Sequence, residues 1–152
     1  MESVGRVKSM KALQALKELE EKICDFYQRK DITISHKLDE YSRSNMFSVI
    51  RNNDITNLYV KFSALDPGFW GLDSAVIKLL ENAYQNNRRW MVVLLLGCPD
   101  EGYLLPRNEV LRCARKRHWS ISKDKQYKVH QGELAAGHKF NSVGEMLRRA
   151  NI

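Results

Sequence analysis

The stretch "NLYVKFSALDPGFWGLD", residues 57–73, sets one lysine inside an apolar and aromatic run that breaks at a proline and a glycine. As a strand its first half alternates, with Leu58, Val60 and Phe62 on one side and Tyr59, Lys61 and Ser63 on the other. The apolar set belongs to the core. Lys61 then stands on the opposite face beside an aromatic ring, where an ordinary half-exposed strand would carry a snorkelling lysine. Pro67 and Gly68 end the strand, and Phe69 and Trp70 follow. Those two rings either seal the end of the sheet or stack on bases.

Elements on both sides give this strand a place. "SMKALQALKELEEKICDFYQR" (9–29) predicts an amphipathic helix with Ala12, Leu16, Leu19, Ile23, Phe26 and Tyr27 on one stripe and Glu20 at its rim. "MFSVI" (46–50) and "NLYVKFSAL" (57–65), joined by the Asn- and Asp-rich "RNNDIT", predict a hairpin. Asp73 or Ser74 caps a helix running to about Asn86, whose inner face is Val76, Ile77, Leu80, Ala83 and Tyr84. "WMVVLLL" (90–96) is continuously apolar, as a central strand covered on both faces requires. A turn, the short strand "YLLP", a helix over 107–118, a hairpin over 119–130 and a closing helix over 141–150 complete the order. The fold class is α/β: a single domain over residues 1–152, with a mixed central sheet flanked by helices.

Composition limits the function classes. No run approaches the roughly 18 consecutive apolar residues of a membrane-spanning helix. The N-terminus lacks the apolar segment of a secretory signal, so a soluble, intracellular, cytoplasmic protein without a membrane partner is expected. Cys24, Cys98 and Cys113 are odd in number and widely spaced, which excludes a disulfide framework, and no Cys or His spacing suits zinc. Residues 1–100 carry 14 Lys and Arg against 13 Asp and Glu, whereas residues 101–152 carry 11 against 5. The excess of positive charge therefore sits in the last third, which favours a polyanionic partner. Within it, Arg112, Arg115 and Lys116 fall on the outer side of a helix, placed to meet phosphate oxygens, and Trp70 is the candidate base-stacking residue.

The glutamate-bearing helix, the hairpin whose second strand carries Val60-Lys61, the crossover helix, the buried strand and "YLLP" together resemble the PD-(D/E)XK, restriction-endonuclease-like nuclease superfamily. The later "YKVHQGELAAGHKFNSVGEML" is similar to tails of its small members. The resemblance implies duplex DNA as partner, Mg²⁺ as cofactor, phosphodiester hydrolysis by an endonuclease, and a homodimer where both strands are cut. It gives the lysine role to Lys61, the helix acid to Glu20, and the position of the first-strand acid to Asn45 or Met46, of which Asn45 offers a neutral oxygen. Tyr59 fills the place of the second acid, where a phenol is a poor magnesium ligand. Asp66 is the candidate metal-binding acid, although an extended chain would leave it about 16 Å from Lys61. With these acids replaced, the contrasting expectation is a non-catalytic interaction or regulatory subunit on the same scaffold.

Overall fold

A computed structural model describes residues 11–38 and 41–152. The predicted helix over 9–29 is α1, Ala12–Phe26; residues 9 and 10 lie outside the described residues. Its buried stripe is Ala15, Leu16, Leu19 and Ile23, while Ala12 and Phe26 are exposed. Gln28 and Arg29 turn to positive φ, and the chain leaves the helix there.

The polar stretch that follows contains three short strands the sequence does not announce: β1 (Ile32–Ser35), β2 (Lys37–Leu38) and β3 (Tyr41–Ser42). The predicted hairpin is β4 (Met46–Arg51) and β5 (Asp54–Ser63). Asn52 and Asn53, both at positive φ (53° and 70°), make a two-residue turn, so pairing begins at once with Arg51 opposite Asp54. That is why β5 starts three residues earlier than its apolar pattern suggests.

After the break at Pro67 and Gly68, residues 69–73 form strand β6 (Phe69–Asp73), which the sequence pattern does not announce. Helix α2 (Ser74–Tyr84) begins directly after it, with the Asp73 carboxylate accepting from the Ala75 N–H at 2.9 Å. Then come β7 (Arg89–Leu96), β8 (Gly102–Pro106), α3 (Arg107–Arg115), β9 (Ser120–Ile121), β10 (Gln126–His130), β11 (Lys139–Phe140) and α4 (Val143–Ala150). Ser142 caps α4, its hydroxyl accepting from the Glu145 N–H at 3.0 Å.

The main sheet runs β1-β4-β5-β7-β8-β11, with β5 and β7 parallel and the other pairs antiparallel. The fold is thus mixed α/β, as its element order predicts. A second sheet, β6-β10-β9, covers one face. Both faces are buried. On one, α1 and α4 pack over Phe47, Val49, Leu58, Val60, Val93 and Leu95. On the other, α2, α3 and the second sheet pack over Met46, Tyr59, Trp90, Val92, Leu94 and Leu105. The strand face that carries Lys61 is closed over Tyr59, which is fully enclosed, while Lys61 itself stays half-buried, as a half-exposed strand position requires.

Candidate functional site

Lys61 lies on β5 opposite Leu94 of β7, on the face under the second sheet. Its side chain is half-buried. Burial lowers the amine's pKa from its ordinary value, the nearby Asp73 carboxylate raises it, and the Arg43 guanidinium lowers it again. Asp73 arrives here because β6 runs back along the sheet and ends at the start of α2.

Tyr59 completes the group. Its hydroxyl accepts from the Asp73 N–H at 3.1 Å, and burial pushes the phenol up to about 12 despite that hydrogen bond. The phenol stays protonated at neutral pH. Tyr41, half-buried and also raised by burial, has the Arg43 guanidinium 5.3 Å from its ring centroid. Among the described residues the site thus combines two cations, half-buried Lys61 and exposed Arg43, with two phenols and one carboxylate.

A magnesium centre of the expected kind does not fit these residues. Among the described residues no three His, Cys, Asp or Glu side chains gather where they could hold a metal ion. Among the described residues the carboxylate acting on Lys61 is that of Asp73, already occupied as a helix cap. A neutral, buried phenol stands at the position of the second acid.

The other expected site residues are elsewhere. Glu20 bonds His36 Nε2 at 2.6 Å, and α1 packs on the face of the sheet opposite Lys61. Asn45 gives its main-chain carbonyl to the Val60 N–H at 2.8 Å, and its Oδ1 is buried without a partner. Asp66 sits in the exposed loop after β5 and does not appear among the charges acting on Lys61. Asp73 takes the place beside the lysine that Asp66 was expected to take. The sequence names Asp73 only as a cap, since its second role requires "FWGLD" to be a strand.

Trp70 is corrected outright. It is 1% exposed, donates its indole N–H to the Leu95 carbonyl at 3.0 Å and packs edge-on to Tyr103. A ring held there cannot stack on a base. Phe69, 36% exposed and set against the His130 ring at 4.9 Å, is the outward-facing member of the pair.

The cationic surface also shifts. Arg112 is tied to Glu109 by two hydrogen bonds, of 3.1 and 2.7 Å, which neutralise it. Arg115 and Lys116 are exposed and make no ion pair among the described residues, although the charge of Arg115 acts on Glu81, and Arg117 joins them at the turn after α3. The chain then enters the β9-β10 hairpin, with Lys123, Lys125 and Lys128 exposed. That hairpin abuts the Lys61 centre: Gln126 pairs with Asp73, and the Lys125 carbonyl accepts from the Ser74 N–H at 3.0 Å.

No protein-family model matches the sequence, and no curated protein does. Among solved structures, the chain is similar to the Holliday junction resolvase Hjc of the archaeal hyperthermophile Archaeoglobus fulgidus, at 10% identity over 77% of this chain and 84% of that one, with a TM-score of 0.47. It is also similar to a nuclease from a fusselovirus, at 13% identity over 99% of this chain and 92% of that one, with a TM-score of 0.49.

Proposed function

We propose that the chain binds duplex DNA through the face formed by Lys61, Arg43, the start of α2 and the β9-β10 hairpin, and that it does so without metal-dependent cleavage. The observation that carries this reading is the make-up of the Lys61 centre among the described residues: a desolvated amine and a guanidinium with one carboxylate, which already serves as a cap. Two cations beside a helix start suit a phosphodiester oxygen, because the positive potential of the helix N-terminus adds to theirs, while the Ser74 and Ala75 N–H groups are already paired within the chain. Asp73 acts on the amine through its charge and satisfies part of the helix's first turn. Lys123, Lys125 and Lys128 extend the cationic track along the backbone of a bound duplex.

Hydrolysis of the expected kind needs an ion that activates water and offsets charge on the phosphate. Asp73 alone is a poor holder for it. The reading is accordingly a nuclease-like scaffold that grips DNA, with the lysine kept and, among the described residues, Asp73 as the one carboxylate beside it.

Two measurements test it. Gel-shift affinity should fall steeply with salt, at about −0.9 in log K per log salt for each phosphate neutralised, and should drop when Lys123, Lys125 and Lys128 become Ala together. No binding at low salt would leave only a protein-interaction scaffold. Supercoiled plasmid incubated with the protein and Mg²⁺ or Mn²⁺ should stay intact. Nicking that disappears in Lys61→Ala would restore the endonuclease reading and reject the silent one.

A further inference from the structure

A polar cavity of about 160 Å³ lies at the far end of the molecule's strands, between the β4–β5 turn and the end of α4. Arg51, Asn52, Asp54, Thr56, Arg89 and Ile152 are among the residues that line it. We propose that it binds a small phosphate-type dianion, either free phosphate or the terminal phosphate of a nucleic-acid strand.

The two guanidiniums carry the argument. The Arg51 Nε is buried and has no hydrogen-bond partner, a condition that costs free energy in a finished protein. Its guanidinium carbon lies 4.4 Å from the Tyr27 ring centroid, which fixes the fork by stacking. Arg89 is held from behind by Thr56 Oγ at 2.8 Å and by the Ala150 and Asn151 carbonyls at 3.2 and 3.0 Å. Neither arginine has an ion pair among the described residues. Asp54 borders the same cavity and sits opposite Arg51 in register, yet it pairs with neither.

Two guanidiniums thus face a small polar space, and the Asp54 carboxylate that shares it is bound to neither of them. Planar guanidinium forks match phosphate oxygens two at a time, and such charge-assisted bonds are the strong ones. Thr56 has spent its hydroxyl oxygen as an acceptor for Arg89, so its proton is available to the anion. Asn52, held at positive φ in a tight turn, adds an amide at the rim. The volume is that of roughly five waters at about 30 Å³ each, enough for one phosphate group.

The test is independent of the DNA-binding proposal. Inorganic phosphate is titrated at constant ionic strength while the melting temperature and the amide NMR signals of Asn52 and Thr56 are followed. A saturating rise in Tm with shifts at those amides is expected, at least tenfold weaker in Arg51→Met and intermediate in Arg51→Lys, which keeps the charge without the fork. A response absent from the native protein, or unchanged in Arg51→Met, overturns the site. A second arm compares oligonucleotide duplexes with 5′-phosphate and 5′-hydroxyl ends. A preference for the phosphate end that Arg51→Met removes identifies a strand terminus as the source; saturation by phosphate without that preference identifies the free anion.

Discussion

The main-chain N–H of Asp73 donates to the hydroxyl of Tyr59 at 3.1 Å, so the residue standing where a second acid was expected braces the residue that supplies the carboxylate. Tyr59→Phe leaves that N–H without its acceptor. A loss of about 1–3 kcal/mol in stability is expected, measured as a lower urea midpoint at unchanged m-value.

The same phenol gives a pH signature. Its folded-state value, about 12, lies above the ordinary 10, so between those two values the folded chain holds the extra proton. Its contribution to stability is complete below pH 10 and is lost as pH rises toward 12. Spectroscopic titration should show one phenolate appearing last, and Tyr59→Phe should remove that final step alone. A titration curve whose late step survives the substitution would rule the assignment out.

Asp73 serves two partners, which separate in two variants. Asp73→Asn keeps a capping oxygen but drops the charge beside Lys61; Asp73→Ala drops both. The Ala variant should lose about 1 kcal/mol more than the Asn variant. Both should lower the Lys61 pKa further, read from the side-chain carbon shifts of that lysine by NMR. Equal Lys61 titration in all three proteins would show that the carboxylate does not act on the amine.

Glu81 joins α2 to α3. It accepts from Arg107 Nη2 at 2.9 Å and from the Trp90 indole at 2.8 Å, and the Arg107 hydrogen bond holds its carboxyl below the ordinary range. A depressed acid stabilises the fold above its unfolded value near 4.5 and stops doing so as pH falls through the folded one. Glu81→Gln should therefore cost about 1–3 kcal/mol at neutral pH and progressively less in acid. An acid-unfolding curve displaced by the same amount at every pH would contradict this.

Gly68 packs under Trp70, where an added Cβ would come within 2.4 Å of the ring. Gly68→Ala is expected to cost about 1–3 kcal/mol and to alter Trp70 fluorescence, with the urea midpoint as the check.

The main sheet was readable because its strands are long and their burial is simple. "WMVVLLL" declares a strand covered on both faces, and the Asn-rich turn declares the hairpin before it. The small strands were not readable. β6 is five residues broken by a glycine, and its partner β10 lies more than fifty residues later, so nothing local marks the pairing. The site suffered from the same blindness. Lys61 follows from alternation, whereas Asp73 and Arg43 reach it only through that distant pairing and the chain between β3 and β4. Trp70 misled for a related reason: an aromatic beside glycines looks like a loop residue until the second sheet closes over it.

β10 lies against β6, and α3 supplies Val110 and Cys113 to the same buried layer, so the cationic third is woven through the molecule instead of trailing from it. A protease could not trim that charge away and leave an intact remainder, and grafting residues 101–152 onto another protein would transplant an open hydrophobic wound. Whatever the positive surface holds, it holds only while the whole chain stays folded.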